Sequence, residues 1–161
     1  MRDKKRGCAK EAAMSQRFAA PLLAALALLS CKPAERQVTI EHAWVRLPAV
    51  PGRPAAGYFT LSGSTSDKQV LIGVESSKAR RIEMHSGGMA GGMMTMRPLA
   101  QVASGAEPRR FVPGGDHLMI FGVDPALKSG DQLPLRFLMR GGRTIDVSAR
   151  AIGAGEAAPT F

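Results

Sequence analysis

Val38-Thr39-Ile40-Glu41-His42-Ala43-Trp44 decides how the chain is read. Val38, Ile40, His42 and Trp44 alternate with Thr39, Glu41 and Ala43, a period of two and not the helical repeat. Similar short runs follow at 57–62, 69–74, 80–85, 93–97, 109–112, 117–123, 133–139 and 143–151. Pro, Gly, Ser and Asp clusters separate them, among them 48–54, 63–66, 87–92, Pro113-Gly114-Gly115 and Lys128-Ser129-Gly130-Asp131. Such spacing without a long amphipathic helix predicts an all-β sandwich of eight or nine short strands. Arg140-Gly141-Gly142-Arg143 reads as a two-residue hairpin between the last two strands. The domain is placed at 38–152, after a polar tether at 31–37. A small, polar tail at 153–161 is expected to be disordered. No internal repeat is present.

Composition agrees. A chain of 161 residues is one domain, and 18 Gly with 11 Pro argue against a helical bundle. Aromatic residues are only 5%, so the core must be mostly aliphatic. Hydrophobic content of 45% against 22% charged argues against a disordered chain.

Residues 1–30 read as a signal peptide. Arg2, Lys4, Lys5, Arg6, Lys10 and Arg17 form a basic start, and 18–29 is an apolar run of 12 residues, too short to cross a bilayer. Met14 offers a second possible start, with Met14-Ser15-Gln16-Arg17 as its own basic segment. Leu28-Leu29-Ser30-Cys31 has the form of a lipobox, in which cleavage before Cys31 is coupled to lipidation of its thiol. Cleavage without lipid and a buried N-terminal helix are the alternatives.

This segment distorts the charge. It holds six of the 22 basic and two of the 13 acidic side chains, so the net charge falls from +9 to +5 beyond it. Nucleic-acid binding thereby loses its compositional support. Cys8 goes with the signal and Cys31 with the lipid. No thiol remains for a disulfide, a thiolate metal site or nucleophilic catalysis. All three His and seven of the nine Met stay in the mature part.

Five of those Met (Met84, Met89, Met93, Met94 and Met96) fall within 13 residues, interleaved with Gly87, Gly88, Gly91 and Gly92. The glycines can turn the chain back and set the arm carrying His85 against the arm carrying Met94 and Met96. In His117-Leu118-Met119, positions i and i+2 of a strand present an imidazole and a thioether on one side. Uncharged thioether sulfur selects Cu(I), and imidazole accepts copper in either oxidation state. Mg²⁺ or Ca²⁺ would want carboxylates, and Zn²⁺ would want Cys or three His. Bland readings stand beside this one: a single Met on a strand is usually core filler, and a Met-Gly loop can serve as a partner-binding patch or an oxidation target. His42 shares the phase of Trp44, has no Met nearby and reads as structural.

At these residues the sequence resembles the PCuAC family of periplasmic copper(I) chaperones. Its pattern is His, ten residues, Met, about 21 residues, then His-x-Met. Here His85 is followed by ten residues and Met96, then by 20 residues and His117-Leu118-Met119. Ala43-Trp44-Val45-Arg46, Gly57-Tyr58-Phe59, Met94-Thr95-Met96-Arg97-Pro98 and Pro113-Gly114-Gly115 also match, and the resemblance runs over about 38–151. The missing residue is placed in 102–110, read as a turn. Asp116 stands where an aromatic is frequent, which would make the rim of the site more polar. The His/Met-rich tail of some members is absent.

The resemblance implies a cupredoxin-like Greek-key β-sandwich and Cu(I) held by His85, Met96, His117 and Met119 at one edge, ringed by Met84, Met89, Met93 and Met94. It also implies delivery to a copper-accepting protein, the copper subunit of cytochrome c oxidase or a Sco-type protein, from a lipid-anchored position outside the cytoplasm. Two other classes compete. An electron-transfer cupredoxin needs a Cys thiolate, and the mature part has none available. A lipid-anchored interaction domain with a Met-rich loop needs no metal. No Ser/His/Asp arrangement suggests an enzyme.

Overall fold

The computed structural model describes residues 37–63 and 69–161. The signal segment, Cys31 and all of the tether but Gln37 lie outside the described residues, as do the side chains of Ala90 and Met94. Ten strands follow one another: β1 (Thr39–Arg46), β2 (Ala55–Ser62), β3 (Val70–Glu75), β4 (Ala79–Ala90), β5 (Met93–Pro98), β6 (Val102–Ala103), β7 (Arg109–Phe111), β8 (His117–Val123), β9 (Gln132–Met139) and β10 (Thr144–Ile152). They form one continuous ladder in the order β5-β4-β8-β2-β1-β10-β9-β3-β6, with β7 paired to β2. β1 and β10 run parallel, and the other pairs are antiparallel.

The ladder folds over one core. Alternation on β9 sends Leu133, Leu135, Phe137 and Met139 inward, and on β8 it sends Leu118 and Ile120 inward. The core is aliphatic around a trio of rings. Phe59 stacks on Phe111 with centroids 4.2 Å apart and meets Phe137 edge-on at 4.8 Å. Trp44, Tyr58 and Ile152 form a second, smaller cluster, against which Ala56 packs.

All nine expected runs are strands. The tenth is β6, two residues long, paired Val70↔Ala103 and Leu71↔Val102. It and the start of β7 take the two ends of the stretch 102–110, whose middle, 104–108, is the expected turn; two residues carry no periodicity to read. The turn at 87–92 is also narrower than expected. β4 continues through Gly87, Gly88 and Met89 to Ala90, opposite Met93, and only Gly91 and Gly92 turn, at φ +58° and +80°. Two consecutive left-handed residues suit a two-residue hairpin, where a side chain would be strained. At the β9–β10 connection the turn is wider than the expected two residues: Leu138↔Thr144 is the last ladder pair, and Gly142 N–H bonds back to the Met139 carbonyl at 3.2 Å.

Two further local features depart from simple alternation. The β1–β2 register shifts between Glu41 and Trp44, with His42 at φ +55°. This bulge takes His42 out of phase with Trp44; His42 is exposed and lies 4.8 Å from the ring of Phe161. The tail is not free of the domain as its composition suggested. One guanidinium nitrogen of Arg46 donates to the carbonyls of Gly153 (3.2 Å), Ala154 (2.9 Å) and Glu156 (2.7 Å), and Ser129 donates to the Glu156 carboxylate at 2.8 Å. Among the described residues no helix is long and apolar enough to cross a membrane.

Candidate metal centre

The four candidate ligands come from three adjacent strands, β5, β4 and β8. Residues directly opposite in an antiparallel ladder share a face. His85 lies opposite His117, Glu83 opposite Met119, and Gly87 opposite Met96. His85, Met96, His117 and Met119 therefore all occupy one face, with Glu83 among them. The other face belongs to the core: Met84 and Leu118, one residue away from these, are 5% and 0% exposed. Met84 is thus core filler and not part of a ring around the site, as the alternation next to His85 requires. Met89 stays on the ligand face, 69% exposed; Met93, opposite Ala90, lies on the other face, 72% exposed.

The two imidazoles are brought together. Their rings stack, with centroids 6.0 Å apart and planes 27° from parallel. Each has one nitrogen engaged. His117 Nδ1 lies 2.9 Å from the Gly115 carbonyl, a contact in which only the ring nitrogen can donate, so Nε2 is left with its lone pair. His85 Nε2 lies 3.1 Å from a Glu83 carboxylate oxygen, and its Nδ1 is buried with no hydrogen-bond partner. A buried, unpaired ring nitrogen costs about 1–3 kcal/mol unless something occupies it. A metal ion beside two neutral imidazoles, each oriented through its far nitrogen, is one such occupant.

Gly115 is held in place by the hairpin. Its carbonyl accepts a second bond from Gly87 N–H, at 3.2 Å. A Cβ at Gly87 would stand 2.7 Å from that oxygen, so only glycine lets β4 approach so closely.

Met119 borders the smaller aromatic cluster, since it pairs with Ala56 on β2. There Trp44 and Tyr58 have ring centroids 4.3 Å apart, and the Arg46 guanidinium sits 5.4 Å above Trp44. Burial pushes the Tyr58 phenol above its ordinary pKa, against the opposing pull of Arg46, so it stays a neutral flank. Met96 is set apart from the other three, on the far side of β4 and 56% exposed. On a flat ladder its Cα would lie roughly 16 Å from that of Met119, two strands across and four residues along. Only a hairpin curled over the face brings both thioethers to one ion.

Among the described residues no three His, Cys, Asp or Glu side chains converge on a metal position. Asp116 does not sharpen the polarity of the rim. Its carboxylate is 10% exposed and paired to Arg109 of β7, whose Nε is 2.7 Å away. Two participants were missed from sequence. Glu83 had a legible signal, being two residues before His85 on a strand. The Gly115 carbonyl had none, because main-chain groups leave no mark in composition.

Comparison with known proteins places the chain in a family. Among curated proteins none matches the sequence. The copper-bound PCuAC domain from PmoF2 superposes at a TM-score of 0.61 with 19% identity, over 74% of this chain and 96% of that one. Apo-DR1885 from Deinococcus radiodurans gives 0.57 with 24% identity, over 94% and 100%. CuI-DR1885 from the same organism gives 0.56 with 26% identity, over 74% and 81%. The fold is thus the cupredoxin-like β-sandwich of PCuAC domains, as the family resemblance implied. The family model for LpqE-like proteins matches residues 38–151, nearly the whole β domain, and the chain belongs to the LpqE-like family.

Proposed function

We propose that this protein is a copper chaperone that binds Cu(I) outside the cytoplasm and passes it to a partner without chemical turnover. The observation that carries the reading is the pair of stacked imidazoles, each with one nitrogen tied and one free, on a face that also presents Met119 and Met96. The copper named in the PmoF2 and DR1885 structures supports it. His85 and His117 supply nitrogen, which raises affinity; Met119 and Met96 supply soft sulfur, which favours Cu(I) over harder ions. None of the four needs to lose a proton on binding when the imidazoles are neutral.

Met96 is the exchangeable ligand. It is the most exposed of the four and sits on a glycine-turned hairpin, so it can yield to a partner's sulfur or imidazole while the half-buried His85 keeps hold of the ion. Ligands replaced one at a time hand over copper without releasing it. The family resemblance names the copper centre of cytochrome c oxidase as recipient, directly or through a Sco-type protein. The chain would act from a membrane surface, anchored through lipid on Cys31, in accord with the lipoprotein description of its family.

The test is anaerobic titration of the purified chain with Cu(I) against a chromophoric competitor. One tight equivalent is expected, weakened strongly by His117→Ala or Met119→Ala and little by His42→Ala. Tight binding unchanged by the first two substitutions would refute the ligand assignment, and no tight binding at all would leave the Met-rich hairpin as a plain protein-docking element. Labelling with radioactive palmitate tests the anchor: wild type should be marked and Cys31→Ser should not.

A further inference from the structure

We infer that Glu83 is the positioning residue of this site, and that it makes His85 offer copper its Nδ1 while His117 offers its Nε2. The Glu83 carboxylate uses both oxygens. One faces His85 Nε2 at 3.1 Å and the other faces the Arg81 guanidinium at 3.1 Å. Arg81 in turn lies over the ring of Phe121, 4.3 Å from its centroid, directly opposite it in the β4–β8 register. Phe121, Arg81, Glu83 and His85 thus form one line along the outer face of these strands.

A carboxylate paired to arginine only accepts hydrogen bonds. The proton between Glu83 and His85 therefore sits on Nε2, and in the neutral form of the ring the lone pair lies on Nδ1. That is the buried atom with no partner. The His85 side chain is 12% exposed, so water competes poorly for the vacant nitrogen. At His117 the assignment is reversed, because the Gly115 carbonyl takes the Nδ1 proton. Each imidazole is oriented by an acceptor on its far nitrogen, the arrangement that fixes tautomer and ring angle at metal-binding histidines. One acceptor is a main-chain carbonyl that no substitution removes. The other is a side chain, and its loss frees both tautomer and ring.

The effect on copper presupposes the chaperone reading above; the effect on the tautomer does not. The experiment separates them. In the full chain labelled with ¹⁵N-histidine, long-range proton–nitrogen correlation spectra identify the protonated nitrogen of each neutral ring before metal is added. The expected pattern is Nε2–H at His85 and Nδ1–H at His117. Adding Cu(I), which is closed-shell and leaves the spectra sharp, should then shift Nδ1 of His85 and Nε2 of His117. Glu83→Ala should give mixed tautomers at His85 and lower Cu(I) affinity about 10- to 100-fold, while Glu83→Gln, which keeps an acceptor oxygen, should restore most of it. Nδ1–H at His85 in the metal-free wild type, a copper-induced shift at its Nε2, or a Glu83→Ala variant with unchanged tautomer and affinity would each overturn the inference. Tautomers as expected with no copper response at either ring would overturn the chaperone reading and leave the orienting role of Glu83 supported.

Discussion

Substituting alanine at Gly87 should disable the site from a position that supplies no ligand. The added Cβ would lie 2.7 Å from the Gly115 oxygen and 3.4 Å from the Gly114 oxygen, both main-chain atoms that cannot rotate away. The loop before β8 must move, and two hydrogen bonds onto the Gly115 carbonyl weaken: the one from Gly87 N–H at 3.2 Å and the one from His117 Nδ1 at 2.9 Å. Each is worth about 0.5–1.5 kcal/mol net. Replacing a strand glycine returns about 0.5–1 kcal/mol. The balance is a loss of roughly 1 kcal/mol, a few degrees in Tm for a domain of this size. Copper should suffer more than stability, because the group that orients His117 is displaced; a fall of at least about 10-fold in Cu(I) affinity is expected. Gly88→Ala is the matched control, since its Cβ would meet nothing within 4 Å. Competitive Cu(I) titration and thermal melts on the two variants and the wild type decide it. Equal copper affinity in Gly87→Ala and Gly88→Ala would refute the idea that this close approach positions His117.

Three other outcomes are expected. Arg46→Ala removes the donor that holds the carbonyls of Gly153, Ala154 and Glu156, so hydrogen exchange should rise across the amides of 154–161 with little change in the core strands. Phe59→Ala empties the centre of the Phe59–Phe111–Phe137 trio and should cost about 3–5 kcal/mol by denaturant unfolding, far more than any change on the outer face. The Asp146 carboxyl, hydrogen-bonded by Arg136 at 2.7 Å, should titrate below its ordinary 3.8 in an NMR pH series, and Arg136→Ala should return it. Its folded pKa is depressed, so whatever stability the pair adds is present above 3.8 and fades as pH falls through the lower folded value.

Much of the fold was written in local alternation. Nine runs with period two became nine strands, and the glycines between Met89 and Met93 turned the chain as their φ freedom allows. What escaped was set by tertiary pairing. Val102 and Ala103 are strand only because β3 offers them partners. Gly87 and Gly88 look like loop in isolation and are ladder residues because β5 lies beside them. The bulge at His42 inverts the phase that simple alternation assigned, and the tail is fastened by an arginine more than a hundred residues earlier. At the site, alternation foretold that His117 and Met119 share a face. The same rule, applied to Met84 beside His85, places that methionine in the core. Asp116 is a polar oddity in the sequence, and its pairing with Arg109 depends on where β7 lies, which no local pattern gives.

The central claim is that imidazole and thioether ligands on one face hold Cu(I). X-ray absorption at the copper edge of the Cu(I)-loaded chain tests it most directly. A mixed shell of nitrogen and sulfur neighbours is expected, with the sulfur contribution reduced in Met119→Ala and the nitrogen contribution reduced in His117→Ala. A shell of nitrogen and oxygen alone, or one that neither substitution alters, would contradict it.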